Sequence, residues 1–201
     1  MKLRILLPLL VIPLFAPTWG VSQQASHSIQ AAPASTSQSQ KWTEAEKKAL
    51  LAKAQHGDVD AQFWLGAGYE QGWFGKADFR EALKWLRGAA KRGNQDAQDA
   101  LGQMYEDGEG VPQNYAQAAK WYRRAAEHVP DLGGAGQGGN NLGMLYMKGL
   151  GVPKDYVQAY MWFRLSHSEA NLSYAKTQMN PAQISEAEQL AAEWKTHHPG
   201  P

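Results

Sequence analysis

Gly134-Ala135-Gly136-Gln137-Gly138-Gly139 is a literal G-x-G-x-x-G. That pattern holds a dinucleotide only when a strand leads into it and a helix N-terminus follows, so that backbone amides converge on the pyrophosphate. Here His128-Val129-Pro130-Asp131-Leu132 leads in and no strand partner is available, so the stretch reads as an expanded loop. Carboxylates cluster as Asp58/Asp60, Asp96/Asp99 and Glu106/Asp107/Glu109. Acid–base catalysis would need two of them facing one cleft with separated pKa values. His56, Arg92 and His128 stand 36 residues apart, a spacing that puts a cation in the last turn of successive helices. The helix dipole favours such a charge by about 0.3–1 kcal/mol. His197-His198 has no third ligand near it in sequence. With no cysteine there is no disulfide, thiolate zinc site or thiol nucleophile. No catalytic residue, cofactor site or metal site is therefore assigned.

The charge balance narrows the partners. Among 201 residues, 20 Lys and Arg meet 19 Asp and Glu, a net charge of +1, which excludes the broad basic footprint of a nucleic-acid binder. Lys2 and Arg4 precede an apolar run from Ile5 to Phe15 that contains Pro8 and Pro13, and Thr18-Trp19-Gly20 offers small residues for cleavage. That run is too short to span a bilayer, so residues 1–20 are expected to be a cleavable signal. Residues 21–40 are mostly Ser, Gln and Ala without charge and are expected to be a disordered linker. The expected location is periplasmic or secreted, with no membrane span in the mature chain.

The elements that position these residues come from a repeat. Leu65-Gly66-Ala67-Gly68-Tyr69 aligns with Leu101-Gly102-Gln103-Met104-Tyr105 and with Leu142-Gly143-Met144-Leu145-Tyr146, shifts of 36 and then 41 residues. Leu101–Arg124 and Leu142–Leu165 agree at twelve of twenty-four positions. Ala61, Leu65 and Tyr69 form one stripe of a helix, and the glycine beside that stripe lets another helix approach. Gly108-Glu109-Gly110-Val111-Pro112 and Gly149-Leu150-Gly151-Val152-Pro153 are turns, and Asp78, Asn114 and Asp155 are N-caps for second helices. Those helices carry Trp85, Trp121 and Trp162, which, recurring in phase, are expected in the core together with Tyr69, Tyr105 and Tyr146. Thr43 to Glu46 is a capping box, and Asn180-Pro181 opens a final helix. The organisation expected is a capping helix at 41–56, repeats at 57–92, 93–128 and 129–168, and capping helices with a tail at 169–201.

The pattern Ala-x3-Leu-Gly-x2-Tyr-x2-Gly-x-Gly-Val-Pro, followed by Asp/Asn-Tyr-x2-Ala-x2-Trp, resembles the Sel-one-like repeat, a longer relative of the tetratricopeptide repeat. The resemblance covers about residues 57–168. It implies an all-α, right-handed solenoid of antiparallel helical hairpins, and a non-enzymatic adaptor that binds a protein or peptide. By the same analogy the first helix of each unit lines the concave face, with Phe63, Asp99, Gln103, Asn140 and Met144 as the expected recognition residues. That face would be acidic over repeats one and two and neutral, with methionines, over repeat three. Repeat one departs from the pattern at Gly72-Trp73-Phe74-Gly75-Lys76, and repeat three carries Gly138 where Ala is expected. Trp64 and Trp73 do not recur and offer a second reading, as a cell-wall glycan platform. Arg80, Lys84, Arg87 and Lys91, with Lys120, Arg123 and Arg124, form an outer basic stripe. Some cysteine-rich exported relatives are linked to β-lactams, an activity not expected here, on the reading that the chain has neither those cysteines nor a serine motif such as Ser-x-x-Lys.

Overall fold

A computed structural model of the chain describes residues 42–127 and 135–198. The expected signal and linker, His128 and the loop as far as Gly134 lie outside them. Among the described residues there are nine helices and no strand: α1 (Glu44–Gln55), α2 (Val59–Glu70), α3 (Phe79–Lys91), α4 (Gln95–Asp107), α5 (Tyr115–Glu127), α6 (Gly136–Lys148), α7 (Tyr156–Leu165), α8 (Glu169–Thr177) and α9 (Pro181–His197). None of these is long and apolar enough to cross a membrane.

The helix starts follow from their caps. The Thr43 hydroxyl accepts from the Glu46 amide while the Glu46 carboxylate accepts from the Thr43 amide, which closes the capping box of α1. Asp78, Asn114 and Asp155 each accept backbone amides at the start of a second helix. Each of these three residues also donates its own amide to the carbonyl of a periodic tyrosine, Tyr69, Tyr105 or Tyr146, at 2.7–2.9 Å. One repeated bond thus fastens the second helix to the end of the first.

α2 packs on α3, α4 on α5 and α6 on α7, and the hairpins join through α3–α4 and α5–α6 contacts. Inside each hairpin the periodic glycine does what its position predicts. A Cβ on Gly66, Gly102 or Gly143 would come within 2.4–2.6 Å of Leu86, Tyr122 or Phe163 on the paired helix. Those three side chains are almost fully buried and stand in register. The tryptophans one position earlier correct the sequence expectation. Only Trp162 is buried; Trp85 and Trp121 are half-buried, with Lys84 and Arg124 over their rings. The periodic tyrosines are also half-buried. Their hydroxyls are used between repeats: Arg87 of α3 donates to Tyr105, and Arg123 of α5 to Tyr146. Arg164, the next residue in that register, pairs with Glu188 of α9 at 3.5 Å. Part of the outer basic stripe is therefore a set of inter-repeat fasteners.

Candidate protein-recognition face

First helices touch across repeats, α2 against α4 and α4 against α6. They form the closely spaced inner side of the stack, and polar side chains bridge each junction. Asn94, the N-cap of α4, donates to Asp60 of α2 at 3.4 Å. Asn141 of α6 donates to Asp99 of α4 at 3.0 Å. Asn171 of α8 donates to Asn140 of α6 at 2.8 Å.

The expected recognition residues divide between this ladder and the apolar packing. Asp99 accepts from Asn141 and, at 3.3 Å, from Gln103 one turn further along α4, so these two expected residues meet directly. Asn140 is held by the C-terminal cap through Asn171. Met144 is half-buried against a cluster that includes Ala159, Tyr160 and Phe163. Phe63 belongs to a different group, a chain of half-buried rings in repeat one, with its ring 5.1 Å from that of Trp64. Sequence reasoning missed Asn141. Its register partners are Trp64 and Ala100, so its only signal was a polar residue at a position that is otherwise apolar.

Carboxylates give this face its electrostatic character. Burial pushes Asp99 up to about 7; the Asn141 bond works against that shift, and the Asp96, Glu106 and Glu70 charges add to it. Burial also raises Glu70 to about 7, helped by the Glu109 and Asp107 carboxylates. Asp96 is raised by burial and by Asp60, and Glu109 by burial and by Asp107. Every charged group acting on Glu70 and Asp99 is itself a carboxylate. Tyr122, whose hydroxyl donates to Glu106 at 2.8 Å, is held well above the ordinary tyrosine range by its burial first and by Glu106 next. Such a face repels anions and gains most from cationic groups.

Other candidates resolve differently. Gly136 to Gly139 are the first turn of α6 and not loop as expected; a Cβ on Gly138 would lie 2.6 Å from Ala125 and 2.8 Å from the Tyr122 carbonyl. That glycine serves helix contact, which also explains why it replaces the repeat's alanine. The ring faces of Trp73 meet Trp42, stacked at 6.0 Å and 2°, and Trp64 at 6.2 Å, so the two rings of the glycan reading are engaged with protein. A Ser-x-x-Lys spacing does occur, at Ser173 and Lys176 of α8. Both are exposed on the surface of α8. Among the described residues no group of three His, Cys, Asp or Glu is placed to hold a metal.

The Sel1 repeat pattern matches residues 59–94, 95–128 and 140–166. A Sel1 repeat protein from Oxalobacter formigenes is 34% identical over 71% of this chain and 96% of that one, with a TM-score of 0.50. The chain belongs to the Sel1 repeat family. It is also similar to c5321, a protective antigen of uropathogenic Escherichia coli with an SLR fold, at 32% identity and a TM-score of 0.56. That match covers 74% of this chain but only 34% of c5321, so this chain spans about a third of that protein's length. No curated protein sequence matches the chain. Sel1 repeats are generally scaffolds for protein–protein interaction, and the all-α repeat solenoid is theirs.

Proposed function

We propose that this chain is an exported adaptor of the bacterial envelope or extracellular space that receives a protein segment along its first-helix face. One observation supports this most: α2 and α4 gather Glu70, Asp96 and Asp99, carboxylates raised by burial and by neighbouring carboxylates, on a face whose polar side chains bridge α2, α4 and α6. Folding alone does not call for this arrangement, because each raised carboxylate costs stability when it ionises. A partner supplying positive charge recovers that cost. The positively charged n-region and short apolar run at the N-terminus support export.

Site-specific photocrosslinking in the producing cell tests the face. A crosslinker at Gln103 should give a discrete partner adduct, and one at exposed Lys84 on the outer side should not. Equal adducts from both positions, or none from Gln103, would sink the reading. Export is tested separately by the N-terminal sequence of the mature protein and its cell fraction. An unprocessed chain in the cytoplasm would remove the envelope location and leave the adaptor role standing.

A further inference from the structure

The inner face changes character along its own register. One row runs Glu70, Glu106, Met147 and the next runs Ala67, Gln103, Met144. α2 and α4 carry the carboxylates, whereas α6 contains no acidic residue and ends at Lys148. Met144 and Met147 are half-buried, backed by Tyr160 and Phe163 of α7 and bordered by Leu172 and Met179. The two ion pairs found among the described residues, Lys84–Glu81 and Arg164–Glu188, use none of the inner-face carboxylates.

We propose that the occupant of this face is a bipartite segment of a partner protein, cationic where it lies over α2 and α4 and apolar where it lies over Met144 and Met147. This rests on the adaptor reading above and specifies its partner. Charge complementarity sets the first half: lysine or arginine over Glu70, Asp99 and Glu106 supplies the counter-charge these groups lack from one another. The second half follows from what α6 offers. A uniformly basic segment would meet Lys148 and no carboxylate there. A uniformly apolar segment would desolvate Glu70 and Asp99 without a counter-charge, which is costly. Only a segment that passes from cationic to apolar satisfies both ends. Methionines suit the apolar end, because an unbranched, polarisable side chain adapts to anchors of different shape.

The test measures binding of three labelled peptides of equal length to the full chain by fluorescence anisotropy. One joins a Lys/Arg block to a Leu/Phe block through a Gly-Ser spacer, one is entirely basic, and one is neutral and apolar. The bipartite probe should bind at least about tenfold tighter than either other probe. Salt should weaken it, since its cationic half is partly exposed. Near pH 6.5 binding should release protons, seen as a dependence of the calorimetric heat on the buffer. Met147→Gln should reduce the bipartite probe to the level of the basic probe and leave the basic probe unchanged; Met147→Leu should retain tight binding. Glu70→Gln should weaken both charged probes. Thermal melting of each variant checks folding, and Met144→Gln provides a second reading at the apolar end.

Equal affinity for the bipartite and basic probes, or an unaltered bipartite affinity in folded Met147→Gln and Met144→Gln, would overturn the bipartite partner. Specific Gln103 adducts combined with no binding of the bipartite probe would overturn this inference and leave the adaptor reading intact. Absence of Gln103 adducts would remove both.

Discussion

In repeats two and three the first helix supplies Met104 or Leu145, both fully buried, and the following turn supplies Gly110 or Gly151. At the same two positions repeat one has Gly68 and Phe74. The sizes are exchanged. A Cβ on Gly68 would lie 2.4 Å from the Phe74 ring, so the phenyl group fills from the turn the space that Met104 and Leu145 fill from the helix. The reason lies in the preceding element. Gly110 is pressed against Phe79 and Leu83 of α3, and Gly151 against the Tyr115–Ala116 backbone of α5, leaving no room for a side chain. In register with Phe79 and Leu83 stand only Thr43, the N-cap of α1, and Lys47 in its first turn. Phe74 can therefore enter, edge-on to Trp42 and Tyr69, with the Lys47 ammonium 5.3 Å from its ring centre. The departures from the repeat pattern in repeat one are thus one linked adjustment to the end of a solenoid, where the stack begins on a single helix.

The largest expected effect comes from imposing a side chain where the stack is tightest. Gly151→Ala puts a Cβ 2.2 Å from backbone at φ 68, and should cost about 3 kcal/mol or more in denaturant unfolding. Gly75→Ala, in the open turn of repeat one, meets nothing within 4 Å and should cost only what its φ of 133 imposes. A Gly75 variant as damaging as the Gly151 variant would break the contrast. Next is the size exchange. Gly68→Ala and Phe74→Ala should each cost about 1–3 kcal/mol. The double variant should cost at least about 1 kcal/mol less than their sum. Strict additivity would show that the two positions do not share one space.

A pH effect should divide the molecule differently, setting repeats one and two against repeat three. Glu70 and Asp99 hold protons up to about 7 in the folded chain, against about 4 for free carboxyls. The folded state therefore binds more protons than the unfolded state between those values, and stability should fall as pH rises from about 4 to about 7. Hydrogen exchange should register the loss in α4 before α7, because the matching positions of repeat three are Met147 and Asn140. The combination Glu70→Gln with Asp99→Asn should flatten the profile; an unchanged slope would mean that other groups carry it.

The smallest effect concerns a tie that repeat three lacks. Gln62 donates to the Ala54 carbonyl at 3.1 Å and Gln98 to Ala90 at 3.0 Å, each holding the end of the preceding helix. Their register partner is Gly139, packed against Ala135, whose own amide donates to the Leu165 carbonyl at 2.8 Å. Gln98→Ala should cost about 1 kcal/mol. Gly139→Gln should fail to gain it, since its Cβ would meet Ala135 at 2.4 Å. A stabilised Gly139→Gln would show that the tie can be restored.

Much of the helical framework was legible because its signals are local. Caps such as Thr43, Asp78, Asp155 and Asn180 satisfy amides within three residues of themselves, and the turn glycines Gly108, Gly110, Gly149 and Gly151 take positive φ on their own account. The deepest core positions of the second helices were harder to read. Leu86, Tyr122 and Phe163 share a register but no chemistry, so matching by identity favours the neighbouring tryptophans, two of which are only half-buried. The candidate face was legible as a set of positions on first helices, but not as a network. Asp99 meets Asn141 across 42 residues, and no local pattern specifies that pairing.

Caps, turns and a spacing of 36 and 41 residues act over short range, so residue order was enough to specify the helices, their register and the order of the hairpins. The tertiary structure alone decided which carboxylates face one another, which arginines serve as fasteners, and why Phe74 stands where other repeats have glycine. Those outcomes depend on distances between successive hairpins. Such distances are set by how closely side chains allow two helices to approach, which appears only when the whole stack is assembled.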